Sequence, residues 1–320
     1  MNFSGVLRND LAARARQYAL AKGLPHSLSY RESAIACFAP HDDDCEHGNF
    51  LSASYRAIRA NPAWMRRLAK VHTQARRSLP TTERGCWREL DSCTSSDALL
   101  MDIFCYPSVL RGRKFAHLLG IEPGTAPCYG YRARVPLGNG RSDRTEVDLR
   151  LGNLLIEAKL TENDFQSARK DAVRAYRDFL AVFSSDEVPQ TESHYLSYQL
   201  VRNVLAAYAL ECSFCVLVDE RRLDLIEAWY AILKCVKPID LRTKLKILTW
   251  QEVAQTVPPK LQAFLVEKYG IGDSAPTYST QPETTHDLEH ESARNKSVKI
   301  YVVSARAHSS TLRRTEKSKS

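Results

Sequence analysis

Hydrophobic and polar residues alternate through RTEVDLRLGNLLIEAKL, residues 144–160, more clearly than anywhere else in the chain. Val147, Leu149 and Leu151 occupy every second position, the period of a half-buried β-strand. Beyond Gly152-Asn153, the triplet Glu157, Ala158, Lys159 again sets two polar residues on one face with a small residue between them. Both halves are predicted strands. Glycine at the first central position suits a type II′ turn, so Gly152-Asn153 is expected to close a two-residue hairpin. That turn fixes a register in which Asp148 faces Glu157 and Glu146 faces Lys159, with all four on one face.

The remaining pattern is coarser. A helix is predicted over 11–22 and a loop over 31–50, followed by a basic helical region to about 79 and helical segments near 83–91 and 95–119. A strand near 128–136 and a Gly138-Asn139-Gly140 turn lead into the hairpin. Over 162–183, Phe165, Ala168, Ala172, Tyr176, Phe179 and Phe183 recur at three and four, which predicts an amphipathic helix. A helix over 196–211, a buried strand over 214–219, a helix over 223–236, a short strand over 246–249 and a helix over 251–268, punctuated by Pro258-Pro259, complete the folded part. From 271 to 320 the composition turns to Ser, Thr, His and charge, too polar to bury a core, so a flexible polar tail is expected; 298–303 reads as an isolated strand within it.

The hairpin register carries a chemical consequence. Opposed side chains have Cβ atoms roughly 4.5–5.5 Å apart, where two carboxylates repel unless a cation lies between them. Mg²⁺ meets that need, since it prefers oxygen ligands and takes only one or two protein carboxylates, leaving its other positions to water and phosphate oxygens. The competing reading is a solvated strand face on which Glu146 and Lys159 form an ordinary cross-strand ion pair.

Asp148 followed by Glu157-Ala158-Lys159 resembles the PD-(D/E)xK nuclease signature, with Val147 where that name has proline. WRELDSCTSSDALLMDIFCYP, SYQLVRNVLAAY and CFAPHDDDCEHGNF extend the resemblance, over roughly residues 30–270, to a bacterial group of restriction-endonuclease-like proteins. The resemblance implies an α/β fold, with a restriction-endonuclease-like mixed β-sheet core flanked by helices and a helical basic N-terminal region. It also implies that Asp148 and Glu157 are metal ligands, with the Ala158 carbonyl as a third donor, and that Lys159 orients or helps deprotonate the attacking water. Glu89, with Glu83 as its competitor, is the candidate for an additional acidic ligand from an early helix. Gln199, with Asn203 one turn on, is a candidate for contact with site or substrate; the alternative for both is a solvent-facing helix side.

Composition is compatible with a nucleic-acid partner. The chain has 320 residues, is 44% hydrophobic and 26% charged, and carries a net charge of +8, enough apolar content for one large or two modest domains. Between residues 51 and 88 there are nine Arg or Lys against one acidic residue, Glu83. Arg66, Lys70 and Arg77 recur at helical spacing beside Trp64 and Leu68 as a basic stripe that, with Arg67, suits a phosphate backbone or, alternatively, solvent or acidic helices. The expected organisation is a basic N-terminal region at 1–80, a nuclease-like core at 81–270 and the tail at 271–320.

Nine cysteines, an odd number, with no secretory signal, predict free thiols in the cytoplasm. No apolar run is long enough for a membrane helix. Cys37, His41, Cys45 and His47 offer zinc-type ligands, but their spacing matches no common zinc module, and an ordered polar loop is preferred. Cys212 and Cys215 read as buried strand residues rather than a metal pair. The sequence therefore predicts a Mg²⁺-dependent endonuclease, with Mn²⁺ as an alternative ion, acting on DNA, with a homodimer as the candidate assembly. The rival readings are a non-cleaving nucleic-acid-binding protein on the same fold and a protein-interaction module.

Overall fold

In a computed structural model the described residues are 2–29, 35–38, 46–70, 81–82 and 85–272, and they belong to one compact unit. At its centre is a five-stranded mixed sheet. Its order is Leu245–Thr249, Ser213–Val218, Leu154–Ala158, Glu146–Leu151 and Pro127–Arg132. The first three strands run parallel and the last two join antiparallel. Parallel strands need both faces covered, and Ser213–Val218 is accordingly buried from Phe214 onward.

Helices cover both faces. On one side, Leu200, Val204 and Leu205 of the helix Tyr198–Ala209 pack with Leu225, Trp229 and Ile232 of Leu223–Leu233. On the other, Leu99, Leu100 and Ile103 of Ser96–Phe104 meet Leu261 and Leu265 of Pro259–Tyr269, together with Leu7 and Leu11 of the first helix. That first helix spans Phe3–Lys22, beginning earlier than the periodicity suggests because the Asn2 side chain caps it, accepting from Gly5 N–H at 2.9 Å.

Several predicted elements differ, among them the helical segment expected near 83–91, which is a strand Gly85–Cys86 and a 3₁₀ turn Glu89–Asp91. Part of the segment read as a loop forms a strand, Ile35–Phe38, paired with His26–Ser29; Ala36 and Phe38 are buried against Ala15 and Ala19, a tertiary contact that four residues do not advertise. The amphipathic helix over 162–183 is replaced by a strand Ser167–Arg169, paired with His194–Leu196, and two short helices, Lys170–Arg174 and Phe179–Val182. Gln166 has a left-handed backbone, φ +59°, which interrupts any helix there, and Val173 is buried where the helical pattern placed Ala172. The basic region is a helix Ser52–Ala60, a single turn Pro62–Met65 and a 3₁₀ turn Arg66–Ala69, not one continuous basic helix. Arg77, Glu83, His41 and Cys45 lie outside the described residues, as does the expected tail from 273 onward, including 298–303.

Candidate active site

The hairpin forms in the expected register: Leu149 pairs with Ile156, Arg150 with Leu155, and Leu151 with Leu154. Gly152 has φ +55° while Asn153 is not left-handed, the sign pattern of the type II′ turn. The ladder stops one step before Asp148 and Glu157. There the Ala158 N–H donates to Asp148 Oδ2 at 2.8 Å, so a carboxylate takes the place of a strand carbonyl and the two strands part. The next peptide unit is held elsewhere, Lys159 N–H donating to the Leu217 carbonyl at 2.8 Å and Trp250 Nε1 donating to the Lys159 carbonyl at 2.9 Å. Arg222, fully buried, donates to the carbonyls of Leu160 at 2.9 Å and Asn163 at 3.2 Å, anchoring the chain as it leaves the strand.

Both oxygens of Glu157 have partners. Lys159 Nζ donates to Oε1 and Asn203 Nδ2 to Oε2, each at 2.8 Å. Asn203 cannot turn over, because its Oδ1 accepts from Arg202 Nε at 3.1 Å and Nη2 at 3.0 Å. Arg202 also donates to the Glu146 carbonyl at 3.1 Å, tying the helix to the start of the strand Glu146–Leu151. The polar side of the Tyr198–Ala209 helix thus faces the site, not solvent. Burial opposes charge on Lys159, but Glu157, Glu162 and Asp148 outweigh it and hold the ammonium above its ordinary range.

Asp148 behaves differently. Burial, and after it the charges of Glu157 and Asp97, push its carboxyl well above the usual carboxylate range, against the opposing charge of Lys159 and the bond from Ala158 N–H. Asp97 comes from the first turn of Ser96–Phe104 and is 6% exposed. It accepts from Arg67 Nη2 at 3.2 Å and from Lys70 Nζ.

Arg67 also reaches Glu146 Oε2 at 3.2 Å. This approach requires Gly130, which is left-handed (φ +62°) and whose missing Cβ would lie 2.6 Å from Arg67 Nη1. Trp64 anchors the segment through its indole N–H to the Pro127 carbonyl at 3.3 Å. The Glu146–Lys159 ion pair of the competing reading is not made: Glu146 binds Arg67 and Arg132, and Lys159 binds Glu157.

The structure therefore brings Asp148, Glu157, Lys159, Arg67 and Lys70 together. Arg66 is exposed on the 3₁₀ turn. Gln199 is half-buried, with its Oε1 buried and without a hydrogen-bond partner. Glu89 is half-buried in a 3₁₀ turn, its N–H donating to the Lys70 carbonyl, and the early-helix acid that acts on Asp148 is Asp97. Among the described residues no three His, Cys, Asp or Glu side chains are grouped as a metal site.

Of the zinc-type set, Cys37 is buried, its thiol pushed up to about 12 chiefly by burial. His47 uses both ring nitrogens, Nδ1 accepting from Asn49 N–H and Nε2 bonding Asp91 Oδ1, each at 3.1 Å. The cysteines 37, 93, 105, 128, 212, 215 and 235 are free thiols, and Cys212 and Cys215 are buried. No helix among the described residues is long and apolar enough to cross a membrane.

Sequence reasoning missed Asp97, Arg202 and Arg222. Asp97 had one signal: an acid at the start of a helix whose every residue is buried. Arg202 and Arg222 had none, since a paired buried arginine looks like any other arginine in sequence.

A five-stranded mixed sheet flanked by helices is consistent with a restriction-endonuclease-like fold. The family described as "Restriction Endonuclease associating with ARP" matches residues 22–270, and the chain belongs to it. No curated protein and no solved structure matches the chain.

Proposed function

We propose that this protein is a metal-dependent endonuclease of the PD-(D/E)xK type that hydrolyses phosphodiester bonds in DNA. The observation that carries the reading is the convergence of Asp148, Glu157 and a charged Lys159 where the hairpin ladder stops. A divalent ion fits this place: Asp148 resists ionisation first because it is buried and then because Glu157 and Asp97 crowd it with like charge, and a dication relieves that repulsion. Asp148 and Glu157 would hold it, with the Ala158 carbonyl as a third donor. Bound there, Mg²⁺, or Mn²⁺ in its place, supplies a lowered water pKa and positive charge at the phosphate.

The chain's own groups do the rest. Lys159 stays protonated, so it acts as a cation and hydrogen-bond donor, orienting the attacking water and offsetting charge on the scissile phosphate. Asn203, locked by Arg202, holds the Glu157 carboxylate in one plane. Arg67 and Lys70 stand at the edge of the site, where a phosphate backbone would pass. Arg66, Arg77 and Gln199 are further candidates for nucleic-acid contact, and Glu89 for an auxiliary acidic role. Cutting both strands of a duplex at one place would bring two copies together as a homodimer.

Supercoiled plasmid, single-stranded DNA and RNA are incubated with the protein in Mg²⁺, Mn²⁺ or EDTA, beside Asp148→Ala and Lys159→Ala. Cleavage that needs metal and disappears in both variants is expected. No cleavage of any substrate, with binding intact in all three proteins, would replace the reading by a non-cutting nucleic-acid-binding protein.

A further inference from the structure

Immediately before the catalytic strand, residues 132–144 read RARVPLGNGRSDR, four arginines against one acidic residue. Arg132, Arg134, Arg141 and Arg144 are all exposed. Arg134, Arg141 and Arg144 make no side-chain hydrogen bond or ion pair among the described residues. Arg132 makes only a long contact with Glu146 Oε1, 3.6 Å. The single acid, Asp143, is occupied: it accepts from Tyr176 OH at 2.6 Å and from Thr145 N–H at 2.8 Å.

The backbone beneath these charges is fixed. Val135–Pro136 pairs with Ser142–Asp143, and the Leu137 N–H donates to the Arg141 carbonyl at 2.8 Å to close the turn. Gly138 N–H donates to the Ala175 carbonyl at 2.8 Å, and Arg177 N–H to that of Pro136 at 3.1 Å, bolting the arm to the neighbouring segment. Ala133 and Val135 are buried, and between them Arg134 sits in the left-handed region at φ +53°, strain held in place by its two buried neighbours. A rigid arm loses little freedom when its charges meet a partner. The arm also lies close to the site, since Arg144 is four residues from Asp148, about 13 Å of extended strand.

We infer that this arginine arm is a nucleic-acid-docking surface, gripping the phosphate backbone of the strand whose scissile phosphate lies at Asp148 and Glu157. The inference rests on the proposed nuclease reading for the identity of the ligand. By contrast, Arg67 and Lys70 are paired with Asp97, so the basic segment at 51–88 is partly committed to the protein itself.

The test is binding of the full chain to a labelled 30-base-pair duplex across a salt series, with single-stranded DNA and RNA of matched length beside it. The variants are Arg134→Gln/Arg141→Gln/Arg144→Gln and, as a milder form, Arg141→Gln/Arg144→Gln; Asp148→Ala is the control for cleavage. Each lost phosphate contact lowers the salt slope by about 0.9 and, at 0.1 M salt, weakens binding about eightfold. The triple variant should therefore lose about 2.7 from the slope and the double about 1.8. Asp148→Ala should abolish cleavage.

A reduced slope with no cleavage by the parent would keep the arm and discard the nuclease. Cleavage by the parent with an unchanged slope in both arm variants would keep the nuclease and overturn the arm. Failure of the parent to bind any of the three nucleic acids at low salt would overturn the arm outright. The three nucleic acids differ in the slope they lose, and the one losing most is the arm's substrate class.

Discussion

Asn203→Leu should be among the most damaging single changes near the site. The leucine is close to the asparagine in size, so the cavity term is small and the polar loss dominates. Two partners are stranded: Glu157 Oε2, 2.8 Å from Nδ2, and the Arg202 guanidinium, whose Nε and Nη2 both donate to Oδ1. All three residues are at most 4% exposed, so water cannot replace what is lost. Hydrogen bonds to charged groups contribute about 1.5–3 kcal/mol each, which puts the cost at roughly 3–5 kcal/mol for the two sides together.

Urea unfolding at pH 7 and 25 °C measures this as a lower midpoint at unchanged slope. Asn203→Asp separates the two halves of the interaction. It keeps the acceptor for Arg202 but removes the donor to Glu157 and adds like charge beside it, so it should preserve more stability than leucine while lowering cleavage about a hundredfold through a misplaced Glu157. If Asn203→Leu unfolds within about 1 kcal/mol of the parent, the Arg202–Asn203–Glu157 chain does not hold the site as argued.

Arg222→Met should destabilise by about 3–5 kcal/mol, because it leaves the carbonyls of Leu160 and Asn163 without their donor; a change in urea midpoint equivalent to less than 1 kcal/mol would refute this. Asp102 is fully buried, and burial raises its carboxyl to about 7, only partly offset by Lys268 and the bond from Leu51 N–H. The folded chain thus holds a proton there that the unfolded chain releases near pH 4, so stability should fall as pH rises from about 4 to 7, by on the order of 4 kcal/mol from this group. The difference in urea stability between the parent and Asp102→Asn across that window isolates the effect, and a flat difference would contradict it. Lys70→Met leaves Asp97 with Arg67 alone and removes a cation that acts on Asp148, so Mg²⁺ affinity measured by calorimetry should rise by about fivefold, the equivalent of roughly 1 kcal/mol; weaker Mg²⁺ binding would count against the proposed site.

What could be read from the sequence was local. The hairpin followed from a period of two and from Gly152, because both are decided by neighbouring residues, and its register was then fixed. The end of the ladder was hidden, since it depends on a side chain, Asp148, displacing a backbone partner of Ala158. The spacing from Phe165 to Phe183 satisfied a helix on paper, yet the strand pairing of Ser167–Arg169 with His194–Leu196 and the left-handed Gln166 prevailed. Periodicity sees which positions are buried; it does not see which long-range partner buries them. The same limit applies to Asn203, which the sequence offered as a site contact or a solvent-facing residue and whose partner, Glu157, only the fold identifies.

The positive charge of the chain divides by task once its partners are known. Lys159 is committed to Glu157, and Arg67 and Lys70 to Asp97, so three cations answer two of the three acids around the site. Asp148 receives a backbone N–H and the more distant field of Lys159, and its carboxyl stays raised. The excess of nine basic residues over one at 51–88 therefore overstates what remains for an external polyanion. Counter-charge inside the site and docking charge outside it are different functions of the same residue types. Only the second should respond steeply to salt, because exposed charges are screened and buried pairs are not. On this argument, ionic strength should control how tightly nucleic acid is held while leaving the arrangement of Asp148, Glu157 and Lys159 unchanged.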